Sequence, residues 1–173
     1  MCFERQEEIK RMAKNILENN NILTYPVNLG VILKNENIHY YENGLGSFFE
    51  EYPEVEACVS RDNDGSYIAI NPSQVFSGAR KRFSIAHELG HYFLHVENGK
   101  PYVAFRDNTS RRNEQEREAD FFAANLLMPD ELVIEAHNSL PFPFVNSLAN
   151  SFGVSLQAMK IKLDTLGLYY EEY

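Results

Sequence analysis

Residues 83–95 read FSIAHELGHYFLH, an apolar stretch of helical texture with two histidines and a glutamate at its centre. Imidazoles and carboxylates buried in such a helix need partners, so any fold that contains it must supply them. His87 and His91 are four residues apart, which on a helix sets them about 40° apart around the axis and one turn up. Two imidazoles so placed reach one metal ion at about 2.1 Å, the distance zinc prefers. Glu88 follows the first histidine and projects beside the pair, a position that suits a base acting on a metal-activated water rather than a ligand. A metal ion satisfies all three groups. Without one, the motif leaves an expensive polar cluster inside an apolar helix.

Two histidines need a third protein ligand, with one position left open for water if the site is catalytic. His95 lies on the same face but about 12 Å along a straight helix from His87, too far to share an ion. It reads as a helix-end group or one that supports a ligand from behind. The metzincin pattern HExxHxxGxxH is not met, because Phe93-Leu94-His95 stands where its glycine turn would be. The next helical segment, EQEREADFFAANLLM at 114–128, offers carboxylates instead. Glu116 and Asp120 share a face, with Ala119, Phe122, Ala123 and Leu126 on the packing side. This layout lets Glu116 bind the metal while Asp120 holds the free ring N–H of a ligating histidine. Glu118 is the rival ligand, but its i+4 neighbour is Phe122, which cannot orient an imidazole. Glu114 and Glu118 suit a solvated charged face.

Periodicity elsewhere predicts an amphipathic helix over 4–19 and a short helix through Val27–Leu33 after the break at Tyr25-Pro26. Strand-like runs follow: IHYY, SFFE, EACVS and SYIAI, the last two flanking the turn composition Arg61-Asp62-Asn63-Asp64-Gly65. Asn71-Pro72 ends the sheet. The helix over 77–95 stops before Gly99 and Pro101, and a polar loop to about Asn113 is expected. Pro129 closes the helix at 114–128 and starts another through Ala136. The tail predicts two helices meeting at Gly153-Val154, with Ser155 as an N-cap and Gly167 as a C-terminal stop. Helices, then a small sheet, then helices argue for an α+β fold.

The 173 residues suit one domain, with no repeat or linker. No apolar run is long enough for a membrane span, and the charged start MCFERQEEIK lacks the apolar core of a signal peptide. Two cysteines, Cys2 and Cys58, give no disulfide framework, so a cytoplasmic location is expected. The net charge is −9, although residues 80–117 carry a local excess of +3. A chain this acidic repels phosphate backbones, so direct nucleic-acid binding is not expected, while the positive centre could attract an acidic segment of a partner. The rhythm of LANSFGVSLQAMKIKL imitates a helix-turn-helix. Its second helix offers only Lys160 and Lys162 against Asp164, so packing is the better reading.

Taken together, RKRFSIAHELGHYFLH and, about 20 residues on, EREADFFAANLLMPDE resemble the ImmA/IrrE family of zinc metallopeptidases. The likeness extends to TYPVNLGVILKNENIHY before them and SFGVSLQAMKIKLDTLGL after them, and so spans most of the chain. The resemblance implies a zincin-like single domain over residues 1–173, with a small, mostly antiparallel sheet packed on the HExxH helix. The helical C-terminal half would include the pair at 145–168. It implies zinc held by His87, His91 and Glu116, with Glu88 as the catalytic acid/base. It also implies a protein substrate, since family members from bacteria and prophages cleave helix-turn-helix repressors. Some members carry an N-terminal helix-turn-helix domain, for which this chain is expected to have no room. Lys162 stands where the family often has Arg, a departure expected to bear only on C-terminal packing.

Two functions from different classes follow. One is a zinc endopeptidase that cuts a regulatory protein, with an oxyanion donor to be drawn from residues such as Tyr92, His95 and His137. The other is a regulator that uses the zinc site structurally or for sensing and captures the repressor without cutting it. Structural zinc sites are normally closed by four protein ligands. Three converging candidates with a glutamate in the base position favour catalysis.

Overall fold

The computed structural model describes residues 1–41, 46–61, 65–72, 78–96, 102–107 and 114–172. Helix α1 (Phe3–Asn19) buries Ile9, Ala13, Ile16 and Leu17, the stripe its periodicity predicts. Helix α2 (Leu29–Asn35) buries Leu29, Ile32 and Leu33 and leads into β1 (Ile38–Tyr41). Helix α3 (Gly46–Glu51) precedes the hairpin strands β2 (Val55–Arg61) and β3 (Ser66–Ile70). Then come α4 (Gly78–His95), β4 (Tyr102–Asp107), α5 (Glu114–Leu127), α6 (Asp130–Asn138), α7 (Val145–Phe152) and α8 (Leu156–Leu166). The architecture is α+β.

Among the described residues the sheet has four strands in the order β1-β3-β2-β4, with β1 and β3 parallel and the other pairs antiparallel. Strand β2 is buried along almost its whole length because both sheet faces are covered. Ala57 and Val59 join the main core with α1, α4 and α5, whereas Cys58 packs with Phe49 and Ala69 on the other side. Val55 belongs with Cys58 rather than Ala57, since a register irregularity between Val55 and Ala57 shifts the alternation. The buried Asn71 side chain donates to the Val55 carbonyl at 2.8 Å, so the polar backbone there has a partner.

Two expectations fail here, each for a tertiary reason. SFFE is not a strand but lies within α3, where helical spacing places Phe48 one turn from Tyr52, their rings 5.1 Å apart. Short aromatic runs fit either period. The helix wins because it lays Phe49 over the outer face of the β2–β3 hairpin. The supposed polar loop after α4 contains β4, which pairs antiparallel with β2 from Tyr102↔Arg61 to Val55↔Asp107. The hairpin itself is present, with Arg61 opposite Ser66, while turn residues 62–64 lie outside the described residues.

At the C-terminus, Ser155 Oγ accepts the Ala158 N–H at 3.1 Å, and Gly153 and Gly167 adopt φ of 64° and 66°. Those caps terminate α7 and α8 as glycine permits. Phe152, Met159 and Leu163 join the same core as Ile9 and Leu126. Lys162 does more than fill space: its buried ammonium donates to Asn125 at 3.0 Å and pairs with Asp130, tying α8 to α5 and α6. Lys160 pairs with Glu172.

Close approach of α4 and α5 depends on Gly90. A Cβ built there would sit 2.9 Å from Ala119 Cα, a backbone atom that cannot rotate aside. Gly90→Ala should therefore destabilise the fold, with overpacking of roughly 1–3 kcal/mol outweighing the ~1 kcal/mol that alanine gains in helix propensity. A thermal melt should show the midpoint several degrees below wild type, and an unchanged or raised midpoint would show that the seam has slack.

Candidate metal centre

Helix α4 is buried continuously from Ser84 to His91, and His87, Glu88 and His91 are each at most 1% exposed. Three packed elements produce this: the β2–β3 sheet on one side, α2 on another, and α5 drawn in at Gly90. Ala119 meets Gly90, and Glu116 lies one turn before Ala119 on α5. The tight seam thus delivers the Glu116 carboxylate to the histidine pair. The Nε2 atoms of His87 and His91 are 3.1 Å apart; Glu116 Oε2 lies 3.2 Å from the first and Oε1 3.1 Å from the second. Burial works against the Glu116 carboxylate, but the closeness of the two imidazoles outweighs it and holds the group below the usual carboxylate range.

A tetrahedral ion with bonds of roughly 2.0–2.1 Å sets its ligands about 3.3 Å apart. The observed spacings fit that edge, and the donors are two nitrogens and one carboxylate oxygen, a set suited to zinc. His87, His91 and Glu116 are the cluster among the described residues whose ligand atoms can share an ion. Three donors leave a tetrahedral ion one position for a non-protein ligand.

Behind each histidine the ring Nδ1 is engaged. Asp120 Oδ1 lies 2.9 Å from His87 Nδ1, the arrangement its place on the Glu116 face implies. His91 Nδ1 meets His95 Nδ1 at 3.1 Å, and His95 Nε2 meets Glu118 Oε2 at 3.2 Å. Glu118 is not part of a solvated face: it is buried and accepts two hydrogen bonds from the Arg5 guanidinium, at 2.9 and 2.7 Å. Arg5 holds it below its ordinary carboxylate range. No short motif announces this pair, since Arg5 precedes Glu118 by 113 residues.

Glu88 is fully buried near Cys58, whose thiol is pushed up to about 12 by burial and then by the Glu88 charge. Such a thiol stays protonated and unreactive at neutral pH. Of the proposed oxyanion donors, His95 has both ring nitrogens occupied behind His91, and half-buried His137 donates to the Tyr169 carbonyl at 2.7 Å. Tyr92 is half-buried on α4, with the Arg61 guanidinium 6.0 Å from its ring centre. Asp120 also borders an apolar groove of about 640 Å³ walled by Phe83, Phe121, Ala124, Met128 and Ala158.

The profile of the IrrE N-terminal-like domain matches residues 39–164, which contain every member of this cluster. The chain belongs to the ImmA/IrrE family. Its relatives include "Metallopeptidase ImmA" of Bacillus subtilis (strain 168), 32% identical over 91 residues, or 51% of this chain and 52% of the relative. An immunity region protein of Bacillus phage phi105 is 34% identical over 86 residues, 50% of this chain and 52% of that protein. The chain thus spans about half the length of these family relatives in alignment. No helix among the described residues is long and apolar enough to cross a membrane.

Proposed function

We propose that this chain is a zinc-dependent endopeptidase that cuts a regulatory protein at a specific site, with a helix-turn-helix transcriptional repressor of a prophage, mobile element or stress regulon as its substrate. The observation that carries this reading is the three-donor cluster of His87, His91 and Glu116, with the fully buried Glu88 next to His87 on the same helix. The named metallopeptidase relative supports the activity, and the immunity-region relative supports a repressor as target. Such work belongs in the bacterial cytoplasm, where repressors act.

A zinc ion bound there supplies Lewis acidity toward a water molecule and a substrate carbonyl. Glu88 accepts the proton of the attacking water and passes it to the departing amine nitrogen. Asp120 fixes the proton on His87 Nδ1, which leaves the Nε2 lone pair for the metal. A purely structural zinc would call for a fourth protein donor and has no use for a buried carboxylate beside the ligands.

The purified protein, loaded with one equivalent of zinc, should convert the repressor encoded beside it into two defined fragments. Chelation should stop the reaction and added zinc restore it. A repressor left intact by the zinc-loaded protein would count against the reading.

The two α5 carboxylates should differ in weight. Glu116→Ala removes a donor and should weaken zinc binding severely. Asp120→Ala leaves the donors and loosens one imidazole, a change typically worth about 10–100-fold in affinity. Competition with a chromophoric chelator measures both, and an Asp120 effect exceeding that of Glu116 would mean that the ligand assignment is inverted.

A further inference from the structure

His87 has an obvious support in Asp120, a carboxylate that accepts its Nδ1 proton. His91 faces another imidazole instead, and an imidazole is ambiguous, since either nitrogen may donate. The far end of the chain removes that ambiguity. Glu118, paired with Arg5 through two hydrogen bonds, is ionised and can only accept. The proton between His95 Nε2 and Glu118 Oε2 therefore belongs to His95. A neutral imidazole that donates at Nε2 accepts at Nδ1, so the proton between the two Nδ1 atoms belongs to His91. His91 then has its lone pair on Nε2, the atom 3.1 Å from both His87 Nε2 and Glu116 Oε1.

We propose that Arg5, Glu118 and His95 are positioning residues that polarise a single file of hydrogen bonds and so hold His91 in its metal-binding tautomer and orientation. The proposal rests on the reading of His91 as a metal ligand. It extends the site beyond α4 and α5 to α1, which carries Arg5, and it gives His95 a role distinct from ligand or oxyanion donor. The two ligand histidines are thus supported differently: His87 by one carboxylate directly, His91 by a carboxylate acting through a second imidazole.

The test is zinc affinity by chelator competition, alongside the visible spectrum of the cobalt-substituted protein, which reports ligand geometry without turnover. His95→Phe keeps a ring of similar bulk but ends the file, and should weaken zinc by 10–100-fold, the usual range for losing such a support. His95→Gln can still accept from His91 through its amide oxygen and donate to Glu118 through its amide nitrogen. It should recover most of the affinity and the wild-type cobalt spectrum. Glu118→Leu should resemble His95→Phe, and the double variant should be little worse than either single one, because both cut the same file. Melting of the metal-free variants shows which of them are folded, and His95→Gln keeps the test decisive if a more drastic variant is not.

Wild-type affinity in His95→Phe, a His95→Gln variant as weak as His95→Phe, or additive losses in the double variant would each overturn the proposal while the metal site stood. If wild-type protein takes up no zinc, or His91→Ala takes it up equally well, the metallopeptidase reading fails and the positioning role fails with it.

Discussion

Glu88→Gln is expected to fold, to bind zinc and to bind the repressor, yet to leave it uncut. Glutamine matches glutamate in size, so the fully buried space at position 88 stays filled and the Leu89 and Gly90 contacts beyond it are undisturbed. What is lost is proton acceptance from the attacking water, together with delivery of that proton to the leaving nitrogen. General acid–base terms are typically worth about 10²–10⁴-fold in rate, which turns cleavage in minutes into none visible over hours. The same variant separates an enzyme from a captor. A protein that works by sequestration would relieve repression equally well with glutamine at position 88, with full-length repressor present in both cases. An immunoblot of the repressor beside a reporter for its promoter reads both outcomes. Relief of repression by Glu88→Gln without any fragment would end the protease reading.

The second large effect is expected at the metal. Wild-type protein should hold about one zinc per chain after dialysis, and the double variant His87→Ala/His91→Ala should hold none. Each substitution deletes one of three converging donors, and the remaining carboxylate alone leaves zinc to compete with water for most of its coordination. Saturating zinc should also raise the wild-type melting temperature. A ligand present at 1,000 times its dissociation constant stabilises by about 4 kcal/mol when only the folded state binds it. That increment should vanish in the double variant. Elemental analysis and a pair of melting curves suffice, and stoichiometric zinc in the double variant would remove His87 and His91 from the site.

Much of this site is legible locally because its chemistry lies on two helices. The i, i+4 spacing of His87 and His91 places two rings together whatever the rest of the chain does. The same spacing sets Glu116 and Asp120 on one face of α5, and the structure brings both to His87. Helix ends are equally local. Ser155 can cap α8 with its own hydroxyl, and Gly167 can take a positive φ, without help from distant residues. The stripe of α1 follows from a 3.6-residue period for the same reason.

Other features had no local signal. SFFE has strand composition, and only the need to cover Cys58 and Ala69 with Phe49 favours the helix. The residues of β4 lie between polar runs, and their strand character comes from backbone pairing with a β2 edge some 45 residues earlier. Glu118 reads as a solvated side chain until α1 lies along α5 and presents Arg5, and His95 reads as a helix end until Glu118 is there to accept its proton. The amino-acid sequence by itself determined that His87 and His91 could share a metal, because spacing on one helix is short-range geometry. The tertiary structure brought Glu116 to that pair and decided which groups stand behind the two histidines, because burial and partnership arise only when segments distant in the chain are packed together.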